Sequence, residues 1–251
     1  MKLVNMKEHN INYDCPPPCT INADLRYPAS ARTPDLCRVL TGEMGIERQY
    51  FERNLTEDVK RASYIEHMRA GARAEPHSHA GGEEILVLSG TFSDESGTYS
   101  EGFYLRCPPG SSHTHLARTD CTLLVKQGQF ARFDRKSVRL DTSCANAAWE
   151  DGPHGIKTLR LHKSLYEHVA LALWPAGLKL DPTRFVGGLE LYVLSGRFVD
   201  EFGDHKAGDW LRIPAGHEHR PRAIEPTKLY IKTGHLPAST KGLRPEPDGR
   251  A

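Results

Sequence analysis

The chain has 251 residues, 38% of them hydrophobic, enough for one large domain or two ordinary ones with real cores; two of about a hundred residues each is the better expectation. With 33 basic against 32 acidic residues the net charge is +1, which offers no electrostatic footprint for nucleic acid or an anionic membrane. Six cysteines are too sparse for a disulfide scaffold, and there is neither an apolar leader after Met1 nor a run of about 18 apolar residues, so reduced thiols and a cytoplasmic location are expected.

Residues 1–37 hold Pro16, Pro17, Pro18, Pro28 and Pro34 with little apolar period, and read as an irregular extension, with a short helix expected around Asp35 to Leu40. Cys15 and Cys19 bracket the three consecutive prolines, a spacing that suits a rigid loop better than a zinc pair. From Gly45 onward short β-type runs take over, Gly45 to Phe51 and Arg61 to Arg69, broken by Gly and Pro and without a long helical period. That pattern indicates an all-β barrel or sandwich.

The stretch Pro76-His77-Ser78-His79-Ala80-Gly81-Gly82-Glu83-Glu84 carries the chemistry. His77 and His79 share one face of an extended strand, because side chains alternate there with period 2. Gly81-Gly82 provides a turn that lets the next strand, Glu84 to Leu88, fold back and set the oxygen ligand Glu83 beside the two imidazoles. Gly102 to His113 then reads as a short strand running into a Pro-Gly turn that presents His113. Three imidazoles and a carboxylate suit one divalent ion, with Zn(II), Fe(II), Mn(II) and Ni(II) all compatible and one or two coordination positions left for water, dioxygen or a chelating small molecule.

These residues resemble the cupin superfamily. Gly71, His77, His79, Glu83 and Gly90 fit the first cupin motif, G-x5-H-x-H-x3-E-x6-G, without a gap, and Gly102, Pro108, Gly110 and His113 fit the second, G-x5-P-x-G-x2-H. Within cupins, the run His77 to Glu95 resembles the ChrR-type cupin, the C-terminal domain of a zinc-dependent anti-sigma factor; related cupins include dioxygenases of diketones and hydroxyketones. The resemblance implies a metal site of His77, His79, Glu83 and His113, and favours zinc. It covers only the cupin: nothing in residues 1–37 matches the zinc-binding helical domain that grips the sigma factor, so a sigma-factor partner is not expected.

The pattern recurs at a constant offset of 106, from Gly71 to Gly177, Gly90 to Gly196, Gly102 to Gly208, Pro108 to Pro214, Gly110 to Gly216, His113 to His219 and Gly128 to Gly234. The chain therefore reads as a bicupin: two tandem jelly-roll β-barrels, 38–134 and 154–236, with 1–37 as extension, 135–153 as linker and 237–251 as a disordered tail. In the second copy the ligand positions become Thr183, Phe185 and Leu189, and only His219 remains, so that barrel is expected to bind no metal and to serve as structure and interface.

Further pocket candidates follow from alternation. The counterparts of Ser63, Ile65 and His67 are Val169, Leu171 and Leu173, which marks that face as barrel interior and directs His67 inward. Tyr64 and Tyr104 are candidates for the pocket mouth or an interface, and His115 could share the face of His113. Arg106 recurs as Arg212 in the copy without ligands and is read as structural. The strand Glu84 to Leu88 is apolar on both faces, so its outer face needs a cover, from the second barrel or from another subunit in a homodimer. Two functions remain open at this level: a metal-binding sensor of a small molecule, with a role in transcription regulation by analogy to ChrR, or a metal-dependent dioxygenase acting on a diketone or hydroxyketone, for which iron would be required.

Overall fold

The computed structural model describes residues 19–56, 60–131 and 133–237. Among them there is no α-helix, only two 3-10 turns, and therefore no helix long and apolar enough to cross a membrane. The chain forms two tandem cupin units of antiparallel sheets, the first a large and a small sheet, the second a large sheet and two small ones. In the first, the strands Ile46–Asn54, Arg61–Met68, Cys121–Gln127, Glu83–Ser89 and Phe103–Cys107 run side by side, opposite a smaller sheet of Arg73–His79, Ser111–Ala117, Thr91–Asp94 and Gly97–Ser100. The second repeats the arrangement with Lys157–Lys163, His168–Trp174, Thr227–Thr233, Leu189–Ser195 and Asp209–Ile213.

The offset read from the sequence is an offset in register. Glu83 pairs with Cys107 as Leu189 pairs with Ile213, and His77 pairs with His113 as Thr183 pairs with His219. Inside the first barrel Ile46, Tyr64, Met68, Ile85, Val87, Phe92, Leu105 and Leu123 pack together. Trp174, Leu189, Leu191, Phe198, Leu211 and Leu229 do the same inside the second. A third apolar layer lies between the barrels, where Phe51, Ile65, Leu86, Tyr104 and Leu124 meet Leu159, Leu171, Tyr192, Trp210 and Tyr230. Strand Glu83–Ser89 is apolar on both sides for this reason: Ile85 and Val87 face its own barrel while Leu86 faces the other. The cover for its outer face is the second barrel of the same chain. Each such side chain removed from water contributes roughly 1.5–3 kcal/mol, so the junction is a second core in its own right.

Two segments that read as lying outside the barrels are edge strands. Ala29–Arg32, in the expected extension, pairs with Asp209–Ile213 of the second barrel, with Ala29 opposite Arg212. Val138–Asp141, in the expected linker, pairs with Phe103–Cys107 of the first, with Phe103 opposite Asp141. Edge pairing uses backbone groups that every residue carries, so side-chain pattern leaves little trace of it. The helix expected over Asp35 to Leu40 is a single 3-10 turn, Thr33–Asp35, started by Pro34 and ended where Leu36 turns extended, followed by the strand Val39–Leu40. Cys19, Cys37, Cys107, Cys121 and Cys144 are free thiols; Cys15 and residues 238–251 of the expected tail lie outside the described residues.

Candidate metal centre

The ligand-type residues come from three positions of the first barrel. His77 and His79 stand on Arg73–His79, Glu83 opens Glu83–Ser89, and His113 and His115 stand on Ser111–Ala117, which is hydrogen-bonded alongside the first of these strands. The turn between His79 and Glu83 depends on Gly82, whose φ of +75° suits glycine and whose missing Cβ would lie 2.5 Å from the ring of Phe130. The close approach of Phe130 and the sharp reversal therefore both require glycine there.

The side chains converge. Nε2 of His79 and Nε2 of His113 are 2.9 Å apart, and Oε2 of Glu83 lies 3.3 Å from the former and 3.2 Å from the latter. The His77 ring centroid is 4.7 Å from that of His79 and 5.1 Å from that of His113. Nδ1 of His77 donates to the carbonyl oxygen of Glu75 at 2.7 Å, which fixes the tautomer and leaves Nε2 with a free lone pair. Ligand atoms of His77, His79 and His113 lie within 4.8 Å of one another, as do those of Glu83, His113 and His115. His115 is thus part of the cluster, its ring 4.2 Å from that of His113, brought there past an irregularity in the pairing between the two.

Charge in the cluster is polarised. Burial works to raise the Glu83 carboxyl, but His79, His113 and His115 hold it at about 2. Burial opposes a proton on His113, yet hydrogen bonds to Cys107 and Glu83 push it up to about 10. Burial holds His115 at about 4 and also lowers His79. The Nε2 atoms of two histidines 2.9 Å apart, with the buried Glu83 Oε2 within 3.3 Å of both, form a set of ligand-type atoms oriented toward a common point. A divalent cation satisfies all of these lone pairs at once, so the residues fit a metal ion.

The other candidates fall elsewhere. His67 does not point into the barrel: its Nε2 donates to Gln49 Oε1 at 2.8 Å, beside Thr122, and burial holds it at about 4. The interior face of its strand is Ala62, Tyr64 and Met68, while Ile65 faces the junction. The apolar counterparts that suggested the reverse, Val169 and Leu171, belong to the layer between the barrels. Tyr64 does face the interior, under the Arg48 guanidinium at 4.7 Å, and Arg48 in turn donates to Glu66 at 2.6 Å. That buried pair is not visible in the sequence, because taking Ser63, Ile65 and His67 as the interior face leaves Glu66 on the opposite one. Tyr104 lies at the junction and donates to Glu84 at 3.0 Å. Arg106 is structural, as its recurrence suggested, bonding Glu84, Asp134 and Glu167. Its guanidinium neutralises Asp134 and Glu167, which with His162 form a third group of ligand-type atoms.

In the second barrel Phe185 and Leu189 pack with the core, and His219 Nε2 donates to Asp200 at 3.0 Å, with His205 donating to the other carboxylate oxygen at 2.8 Å. Among the described residues, none of the metal-type groups lies within that barrel's core.

Comparisons with known proteins agree with this architecture. A search of curated proteins finds no match. Among solved structures, the chain is similar to a putative dioxygenase from Nostoc punctiforme, at 12% identity and TM-score 0.68 over 89% of this chain and 88% of that one. It is similar to the putative glyoxylate induced protein from Pseudomonas aeruginosa, at 14% identity and TM-score 0.68 over 92% and 98%. It is also similar to oxalate decarboxylase from Bacillus subtilis, at 15% identity and TM-score 0.56 over 84% and 77%. At these identities the likeness is one of fold. The family model described as the ChrR cupin-like domain matches twice, over residues 31–131 and 138–238. Both repeats are covered, and the chain belongs to the ChrR cupin-like domain family.

Proposed function

We propose that the first barrel holds one divalent metal ion through His77, His79, Glu83 and His113, and that the protein is a metal-dependent sensor of a small molecule. The observation that supports this is how the turn bearing the ligands is tied to the junction between barrels. Gly128 N–H donates to Gly82 O at 2.9 Å and Phe130 N–H donates to Gly81 O at 3.4 Å. Gln129, between them, donates to Glu52, Ser63 and the Ala62 carbonyl at the boundary with the second barrel. Displacement of Glu83 on ligand binding therefore reaches the junction through one short segment. A bound ion supplies a Lewis-acid position for an oxygen of the ligand. His77 is oriented by Glu75, and His115 lies close enough to hold or pass a proton beside His113. A small polar pocket of about 160 Å³ opens beside His113, lined by Cys107, Ser111, Ser112 and Arg139 among others.

The same pocket favours a second reading, a dioxygenase acting on a diketone or hydroxyketone, since it gives a small oxygen-bearing molecule access to His113; the likeness to a putative dioxygenase supports it at the level of fold. An oxygen-electrode assay separates the two. Zn(II)- and Fe(II)-loaded protein is compared with diketones and hydroxyacetophenones, and amide exchange of the segment 128–130 is followed as metal is added. The sensor reading expects changed protection of those amides and no turnover; sustained, iron-dependent uptake of dioxygen replaces it with the oxygenase.

A further inference from the structure

A cavity of about 630 Å³ lies where the two barrels meet, away from the histidine cluster, and it is lined by equivalent residues of both repeats. Arg61 is matched across it by Glu167, Gln129 by His235 and Phe130 by Leu236, each pair 106 residues apart. The cavity thus sits astride the internal symmetry of the bicupin, although the polar members of each pair differ in chemistry.

Its floor is polar and incompletely satisfied. Arg61 is ion-paired through Nε to Glu52 at 3.1 Å, but its buried Nη2 has no hydrogen-bond partner, and the acceptor Gln129 Oε1 also lacks one. The imidazole of His235 is fully buried, with Nε2 2.9 Å from Glu190 Oε2 and Nδ1 unpartnered. Burial holds this ring neutral, at about 3, so Nε2 carries the proton and Nδ1 is a bare acceptor. A buried polar atom without a partner costs about 1–3 kcal/mol, and one guanidinium nitrogen together with two acceptors calls for a molecule that brings both an anion and a donor. The rim is apolar: Leu165 is 82%, Tyr166 71% and Val186 88% exposed, above the ring of Phe130. The volume is within the range of about 300–1,000 Å³ common to small-molecule sites.

We propose that this cavity is a second ligand site, separate from the metal centre, for a small α-amino or α-hydroxy acid with an apolar side chain. The carboxylate meets Arg61 Nη2, the adjacent ammonium or hydroxyl donates to Gln129 or His235, and the apolar chain covers Phe130, Leu165, Tyr166 and Val186.

The test is calorimetric titration of the full chain with L-leucine and with 2-hydroxy-4-methylpentanoate, which distinguish the two sources of the donor. 4-Methylpentanoate, which lacks the donor, and 3-methylbutylamine, which lacks the carboxylate, serve as the truncated probes. One of the two acids binds at one per chain, about tenfold or more tighter than either truncated probe. Val186→Asp and Leu165→Asp, at exposed rim positions where folding is not at stake, weaken it by a similar factor, whereas Met44→Asp, 92% exposed and outside the cavity lining, does not. Because such acids also chelate metals, the titration is repeated on the His77→Ala/His79→Ala variant, in which binding persists. Absence of saturable binding by both acids, equal binding of the truncated probes, indifference to the rim substitutions, or loss of binding in the double variant overturns the assignment.

Discussion

Lys126 of the first barrel donates across the junction to Glu190 of the second, and both side chains are fully enclosed. The same contact is made in the opposite sense 106 residues away, where Lys232 of the second barrel donates to Glu84 of the first. Glu84 also accepts from Arg106 at 2.6 Å, from Tyr104 at 3.0 Å and from Tyr230 at 3.1 Å, and Glu190 accepts from Trp210. Two carboxylates next to one ligand position thus lock the barrels to each other. Removing one partner of a buried ion pair leaves an uncompensated charge, so Lys126→Met is expected to destabilise the chain by about 3 kcal/mol, and Lys126→Met/Glu190→Gln by less than the sum of the single changes. Urea denaturation of the four species measures this; additive effects would mean that the pair is not coupled.

The metal content of purified protein is expected to be one divalent ion per chain. His77→Ala/His79→Ala abolishes binding, and His219→Ala, which removes the contacts to Asp200 and Phe198, leaves it unchanged. Elemental analysis decides, and a value near two per chain would contradict the reading of the second barrel. Removal of the ion by a chelator lowers the melting temperature, since at a free metal concentration of 100 times Kd the bound form gains about 2.7 kcal/mol.

Gly82 links the metal site to the junction, so its replacement is expected to be felt at both. In Gly82→Ala the new Cβ meets the Phe130 ring at 2.5 Å on a backbone of φ +75°, and metal affinity falls about tenfold as His79 and Glu83 are pushed apart. Gly82→Ala/Phe130→Ala recovers part of that loss by removing the clash while keeping the backbone strain. Competition titration with a chromophoric chelator reads both variants; identical affinities for the single and double variants would place the cause in the backbone alone.

Acid destabilises the junction in two stages. Burial, opposed by the hydrogen bond to Glu190, lowers His235 from 6.5 to about 3, so the folded chain binds fewer protons there than the unfolded chain. The stability from this group is whole above about 6.5 and is lost as pH falls below it, by roughly 3 kcal/mol at pH near 4.5. For Glu84 and Glu190, burial works to raise the carboxyls, but their lysine partners lead the contacts that hold them below 4.5, so their stability is present above that value and is lost as pH falls further. Denaturation curves between about pH 7 and 5 are expected to show a slope that His235→Gln reduces, because the carboxylates have not begun to titrate there. An unchanged slope in that variant would assign the effect to another histidine.

The repeat and the grouping of ligand-type residues were legible because they are written in local terms. Turns need Gly and Pro at particular places, from Gly71 to Gly234, and His77, His79, Glu83 and His113 stand at spacings that a hairpin and a neighbouring strand convert into proximity. No insertion interrupts the offset between the copies, so the loss of ligands at Phe185 and Leu189 could be read by position alone.

Which face of each strand looks inward was decided only by the tertiary structure. Strands Arg61–Met68 and Glu83–Ser89 are buried on both sides, one by their own barrel and one by the other, and a two-sided apolar pattern has no period from which to choose; His67 was misplaced for that reason. The edge strands Ala29–Arg32 and Val138–Asp141 were equally illegible, because their pairing is made by backbone N–H and C=O groups that carry no sequence signal. The paired contacts of Lys126 and Lys232, and the cavity between Arg61 and Glu167, exist only where segments distant in sequence meet; a lysine or arginine inside a strand looks like a solvated charge until the opposing barrel removes the water.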